Sequence, residues 1–426
     1  MATQNSGAFT DLGKVEDLYY TDPDNCKVEA IPVEYNTRFT QAFASPQGGT
    51  STFIIPPGNG LKHIVISLGY LASALAGQDG KNALPLGWGY SAIQQISFRI
   101  GGSSQYFLTG QQLLAKVLRQ VRTQTQAQSL LQLGGSPVFN CTYGTPGTGD
   151  FSVNQFAYVV VPVWCMPSAD GLNVPLPADT LAQQVQITCT LNPPSAFWIN
   201  NGTPLAPPAA FSVAQFQVEQ LCMVDRGMAI ANHVDLNTHE LLMPVIFDQQ
   251  ELQVSIPGNG AAYSITQPYN TTLTGFRSGQ VKAIQCWLTK DSDTVNPLLW
   301  YAPVAVQVLY AGTIYASYGG LFGASSQIWN TLDGTKPPTV SYSALTLNAG
   351  AAFTASSSPS SYAILPFSNP TGNDYEAEVL THGKPILNGL VNLQIVTPTD
   401  EPYTLHVAYI YNSTLVFSKS SAEFRF

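Results

Sequence analysis

The sequence predicts an all-β fold present twice in tandem, and three observations predict it. The first is a strand over Ser91–Ile100. There Ile96, Phe98 and Ile100 point to one face, Gln95, Ser97 and Arg99 point to the other, and Gly101-Gly102 ends the run. The second is its echo over Ala305–Tyr315, where Val306, Val308 and Tyr310 alternate with Gln307 and Leu309. Gly312 stands where Gly102 stood, a shift of 312 − 102 = 210 residues. The third is a pair of shorter matches. Pro57-Gly58-Asn59-Gly60 and Pro257-Gly258-Asn259-Gly260 are offset by 257 − 57 = 200, and Val185-Gln186-Ile187 and Leu393-Gln394-Ile395 by 395 − 187 = 208. Glycine, asparagine and proline crowd into any turn, so no single match carries weight. The agreement of the shifts is what points to one β-domain copied once.

At 426 residues the chain has room for two domains of about 200 each. Apolar residues make up 45%, enough for full-sized cores, but charged residues are only 10%, against about 25% in ordinary soluble domains. The polar surface is therefore Gln, Asn, Ser and Thr. Such a surface repels copies of itself weakly, which suits a chain that packs against neighbours, although a stable extracellular β-protein has the same profile. The formal charge is 17 − 26 = −9, and Lys14 and Lys27 are the sole cations in the first 37 residues. Without a basic arm, direct binding to nucleic acid is not expected. Thirty prolines and 35 glycines punctuate many short segments, as all-β folds require.

The six cysteines (26, 141, 165, 189, 222, 286) show no CxxC spacing, so neither a disulfide framework nor a zinc site is indicated. Cys165, Cys189 and Cys286 lie in strand-like runs, where a thiol fills space as a small apolar group. Residues 1–30 carry no apolar signal-peptide core. The longest apolar stretches, 156–166 and 298–311, are broken by Pro162 and by Pro303 and Gln307, too short to span a bilayer as a helix. Four N-x-S/T sequons begin at Asn140, Asn201, Asn270 and Asn412; without a secretory signal they are expected chance matches in an Asn/Thr-rich chain.

Taken in order, residues 1–30 read as an N-terminal arm and 31–225 as the first β-domain. Its strand-like runs are Ser51–Ile55, His63–Leu71, Ser91–Ile100, Asn154–Trp164, Val185–Leu191 and Phe211–Val224, separated by Gly, Pro or Asn. The run Phe156–Trp164 is apolar on both faces, as for a strand covered on both sides, while Pro162 within it argues for a bulge or a sheet edge. One helix is expected over 110–133, capped by Thr109, with Leu113, Leu114, Val117, Leu118 and Val121 at helical spacing and Gly134-Gly135 as its stop. Lys116, Arg119 and Arg122 form a short basic stripe on the opposite side. It reads as a contact for an acidic partner or a neighbouring copy, or, more plainly, as a solvated helix face.

Residues 226–240 read as a connection and 241–426 as the second domain. Its runs are Leu241–Phe247, Leu252–Ile256, Val281–Thr289, Val304–Ala316, Tyr362–Phe367, Leu390–Val396, Tyr403–Tyr411 and Ala422–Phe426. Tyr403, Leu405, Val407, Tyr409 and Tyr411 share one face, and the Ala/Ser-rich 350–361 reads as a long exposed loop.

Tandem β-domains with one inserted helix resemble the double jelly-roll major capsid proteins of tailless icosahedral double-stranded DNA viruses, a group that includes nucleocytoplasmic large DNA viruses, virophages and polinton-like viruses. The residues that carry the resemblance are Leu84-Pro-Leu-Gly-Trp-Gly-Tyr90, Ile93–Tyr106 with its Ile-Gly-Gly ending, and the helix from Thr109. The resemblance implies two eight-stranded jelly-roll sandwiches, a homotrimer with a six-fold-like outline, and a lattice of such trimers forming a virion shell. It implies minor capsid or penton proteins as further partners, an inner face that meets minor capsid proteins or an internal membrane, and synthesis inside the host cell. The very long loop insertions of the larger family members are missing here, so tall surface towers are not expected.

Residues suited to chemistry are few. His233, Asp235, His239 and Glu240 offer imidazoles and carboxylates, but the His spacing fits neither a helical i, i+4 pair nor a close same-face strand pair. Asp22, Asp24 and Glu29 lack the Gly and terminal Glu of a calcium loop. His63, His382 and His406 are isolated, His406 on the outer face of its strand. No P-loop, G-x-S-x-G or dinucleotide fingerprint appears, so no enzyme, cofactor or metal is expected. The alternative of another class is a two-domain lectin-like or adhesive β-sandwich. An RNA-virus capsid protein fits the missing basic arm and the internal echo less well.

Overall fold

The computed structural model describes residues 34–55, 60–78, 81–100, 106–120, 124–136, 151–162, 185–200, 205–223, 241–275, 277, 280–292, 300–301, 303–319, 340–347, 353–360, 362–366, 384–385, 390–417 and 422–425. Eight strands form the first sandwich: β1 Glu34–Ala42, β2 Gly49–Ile54, β3 Gly60–Tyr70, β4 Ile93–Ile100, β5 Tyr106–Thr109, β6 Gln155–Pro162, β7 Val185–Leu191 and β8 Val213–Met223. Eight more form the second: β9 Leu241–Asp248, β10 Tyr269–Leu273, β11 Gln280–Lys290, β12 Ala305–Tyr310, β13 Thr313–Gly319, β14 Ala363–Pro366, β15 Val391–Val396 and β16 Tyr403–Phe417.

The first sandwich has sheets β1-β8-β3-β6 and β2-β7-β4-β5, and the second has β9-β16-β11-β14 and β10-β15-β12-β13. Adding eight to each strand of the first pattern gives the second. Both are antiparallel jelly rolls, so the chain holds the same topology twice. Short strands extend the larger sheet of the second roll: Leu252–Ile256 and Ala422–Arg425 pair with β16, and Lys384–Pro385 pairs with β11.

Alternation decides what each sheet buries. On β3, Ile64, Ile66, Leu68 and Tyr70 point into the first roll, facing Phe216 and Val218 of β8 and Val159 and Val161 of β6 across the ladder. Phe53 of β2 stacks on Phe216 from the opposite sheet, ring centroids 4.2 Å apart, which ties the two layers together. In the second roll Tyr403, Leu405, Val407, Tyr409 and Tyr411 are all buried on the core face of β16, as the alternation foretold. Cys189 on β7 and Cys286 on β11 are free, buried fillers.

Several expectations need correction. The helix expected over 110–133 is described as α1 Gly110–Gln120 and α2 Gln124–Leu133, with 121–123 outside the described residues; in α2, Leu131 near the end is buried. The run Val304–Ala316 is two strands joined by Ala311-Gly312, both with positive φ, so the chain reverses within it. The loop expected over 350–361 contains a strand, Phe353–Ser360, paired with Val340–Leu347. Strands β1 and β10 went unseen because both are sheet edges, whose polar sequences (EYNTRFTQA and YNTTL) lack a clean apolar face. Strand β6 is an edge strand ending at Pro162, as the proline indicated, but its outer face carries exposed Phe156 and Tyr158 and is not covered.

The repeat itself is real: β6 and β14 are offset by 363 − 155 = 208, and β7 and β15 by 391 − 185 = 206. The Pro-Gly-Asn-Gly match is not part of it. One copy follows β2 and the other follows the strand Leu252–Ile256, which precedes β10, so the two occupy different connections. Residues 1–30 and 226–240, the expected arm and connection, lie outside the described residues, as do the His233–Glu240 and Asp22–Glu29 groups.

Candidate functional site at the seam between the two rolls

Helix α1 leaves β5 and lies in the β5–β6 connection of the first roll. Its first turn is fixed by Thr109, whose hydroxyl accepts the backbone N–H of Gln112 at 3.1 Å. Gly110 is required there, because a Cβ would sit 2.0 Å from the carbonyl oxygen of Tyr90 and 2.4 Å from that of Ile93. Leu113, Leu114, Val117 and Leu118 are buried in the hydrophobic core. The other side of the helix meets the second roll.

That contact uses the face of the β9-β16-β11-β14 sheet that points away from its own core. Gln285 and Trp287 on β11 stand opposite Ala408 and His406 on β16. All four are buried although none faces the second core, and α1 bonds to two of them, Gln285 and Trp287. The side-chain amide of Gln285 donates to the Ala115 carbonyl at 3.3 Å, and the indole N–H of Trp287 donates to Gln111 Oε1 at 3.4 Å. The Gln112 amide donates to the Gln249 carbonyl, while its Oε1 accepts the Glu251 backbone N–H at 3.2 Å.

Lys116 closes the seam. Its ammonium lies 3.0 Å from Asp248 Oδ2, with the side chains 2% and 1% exposed. A buried ammonium is costly unless an anion and hydrogen bonds replace its water, and Asp248, at the end of β9, supplies the anion. The neighbouring turn is held in turn by the second core: Tyr411 donates its hydroxyl to Gln249 Oε1 at 3.0 Å and accepts the Arg277 backbone N–H at 3.0 Å. Burial pushes the Tyr411 phenol up to about 12, partly offset by that N–H and by the Arg277 charge. Beside it, His406 stacks on Trp287 with rings 5.3 Å apart and parallel to 2°, places Nε2 2.9 Å from Thr289 Oγ1, and keeps Nδ1 3.6 Å from Glu251 Oε1.

Of the expected basic stripe, the structure describes one side chain, Lys116. Lys116 is interior and paired, which overturns its reading as a solvated face; the side chain of Arg119, and Arg122 entirely, lie outside the described residues. His406 does sit on the outer face of its strand, but that face is interior to the chain. Sequence reasoning missed Gln111, Gln112, Asp248, Gln285 and Trp287. One signal was present: Ala408 and Ile410 are apolar on the supposedly wet face of β16, which marks that face as covered. Among the described residues no group of three or more His, Cys, Asp or Glu is placed to hold a metal ion. The site is mechanical: it locks two like sandwiches into one body.

No protein-family model and no curated protein sequence matches the chain. Solved structures do match it. PBCV-1 VP54, as fitted into a cryo-EM reconstruction of the virophage Sputnik, superposes with a TM-score of 0.62 at 11% identity, covering 94% of this chain and 99% of that one. The Faustovirus major capsid protein matches with a TM-score of 0.54 at 10% identity over 92% of each chain. The mavirus major capsid protein matches with a TM-score of 0.50 at 12% identity, covering 96% of this chain and 93% of that one. At such identities the likeness is one of fold: the chain has the double jelly-roll fold of viral major capsid proteins, along nearly its whole length.

Proposed function

We propose that the chain is a structural, non-catalytic major capsid subunit, which associates into homotrimers that tile an icosahedral shell. The observation that carries this reading is the pair of topologically identical rolls fused by a buried, interlocked seam. That seam makes one rigid tile with two near-equivalent units, so three copies supply six. The weakly charged surface supports it, since 10% charged residues oppose close packing of copies little. The capsid proteins of like fold support it as well.

This reading places the protein in the virion and makes its principal partner itself. Minor capsid or penton proteins and an internal membrane are the further partners it supplies. Direct nucleic-acid binding is not part of it, because the chain carries −9 and no cluster of cations in its first 37 residues. The test is sedimentation of the purified full chain across a wide concentration range, with imaging of the particles. A trimer of hexagonal outline is the expected result. A species that stays monomeric at the highest concentration overturns the proposal.

A further inference from the structure

The tetrapeptide Pro-Gly-Asn-Gly occurs twice, and its two copies occupy different connections, so one short sequence stands in two surroundings. Each copy ends in an Asn-Gly pair. Glycine has no Cβ to shield its own backbone nitrogen, so that nitrogen can reach the side-chain amide of the asparagine before it. The chain has four such pairs, Asn59-Gly60, Asn201-Gly202, Asn259-Gly260 and Asn388-Gly389, and the dipeptide alone treats them alike. Asn201-Gly202 and Asn388-Gly389 lie outside the described residues.

The two tetrapeptides differ in what holds the glycine. Gly60 is the first residue of β3 and stands opposite Leu221 of β8, so its backbone already belongs to a ladder. Gly260 belongs to no strand. It follows the strand Leu252–Ile256 and is exposed, as Asn259 is. Its φ is +73°, and nothing lies within 4 Å of where a Cβ would be. Neither its N–H nor the Asn259 side chain has a hydrogen-bond partner among the described residues. The loop is anchored one atom group earlier: the Asn259 backbone N–H donates to Asp400 Oδ1 at 3.0 Å. The Asn259 amide and the next peptide nitrogen are thereby left to solvent and to each other.

We propose that Asn259 is a site of spontaneous deamidation, and that in the folded chain it reacts well ahead of Asn59. The Gly260 nitrogen gives up its proton to water and forms a bond to Asn259 Cγ. The Cγ–Nδ2 bond breaks, ammonia leaves, and a succinimide ring closes. Water then opens the ring at either carbonyl, giving aspartate or isoaspartate; nothing is oxidised or reduced. Isoaspartate routes the main chain through the side chain, adding a methylene before Gly260. Either product places a new carboxylate beside Asp400 and takes the formal charge to −9 − 1 = −10. Ring closure requires the Asn-Gly backbone to turn, which an open loop allows and a paired strand resists until it opens. The expected gap between the two sites is about tenfold, the rate equivalent of freeing one residue's backbone.

Peptide mapping by mass spectrometry tests it, on the purified full chain held native at mildly alkaline pH and sampled over time. Each deamidation adds about 1 Da. The peptide holding Asn259 is expected to convert, in part to isoaspartate, while the one holding Asn59 lags by about tenfold. In denaturant the two sites are expected to convert at like rates, since flanking sequence alone then decides. Asn259→Gln, whose side chain would have to close a larger ring, is expected to remove the acidic variant that grows in with this conversion on ion exchange. If Asn259 stays intact, or converts no faster than Asn59 in the folded chain, the inference is wrong. A gap that persists unchanged in denaturant overturns it as well, because the preference would then belong to the sequence and not to the fold.

Discussion

Lys116 is a long, strongly hydrated cation placed where no water reaches it, 3.0 Å from an equally buried carboxylate. Truncating one member of such a pair leaves the other charged and unsolvated, which costs about 3–5 kcal/mol, whereas replacing both by apolar groups of like volume is close to neutral. Lys116→Met is therefore expected to lower the denaturant midpoint sharply, and Lys116→Met with Asp248→Leu to recover most of the loss. Equal loss in single and double variants, measured by denaturant unfolding, would show that the ion pair is not what Lys116 contributes. The helical spacing around Lys116 was legible in the sequence; its burial was not. Periodicity separates an apolar face from a polar one, but whether the polar face meets solvent or a second roll depends on residues 132 positions away (248 − 116).

At the scale of elements, the hairpin between β12 and β13 shows the same division. Alternation marked the strands on either side of it, yet the reversal went unread, because Ala311-Gly312 is not the Asn-Gly or Asp-Gly pair that signals such turns. Ala311 has φ of 49°, a left-handed conformation in which its Cβ crowds the following carbonyl. Ala311→Gly removes that crowding at some cost in chain entropy, for an expected net gain of about 0.5–1 kcal/mol, read as a rise in the thermal midpoint with the oligomer unchanged. A fall would mean that the Ala311 methyl makes contacts outweighing its backbone strain. Core strands such as β3, β7 and β16 were legible because each carries an apolar face at alternate residues, buried in its own roll. The edge strands β1 and β10 were not, since an edge is half-solvated and needs no apolar stripe.

At the scale of the whole molecule, the duplication was the most legible feature. It survived even though the Pro-Gly-Asn-Gly match proved accidental, since strand positions and not turn residues carry the repeat. Which sheet face is covered could not be read, because α1 bonds to the outward face of one roll while Phe156 and Tyr158 stay exposed on that of the other. The composition makes a prediction about salt. Charged residues are only 10% of the chain, so few ion pairs are available to hold copies together. Each copy nevertheless carries −9, and bringing copies together concentrates like charge. Raising the ionic strength from about 0.01 to about 0.15 M shortens the screening length from about 30 to about 8 Å, which relieves that repulsion and leaves apolar contacts untouched. The trimer is therefore expected to tighten with added salt, seen as a fall in its dissociation midpoint by sedimentation. Ion pairs across a junction would respond in the opposite sense, so a trimer that loosens over this range would place the contact between copies on a charged surface.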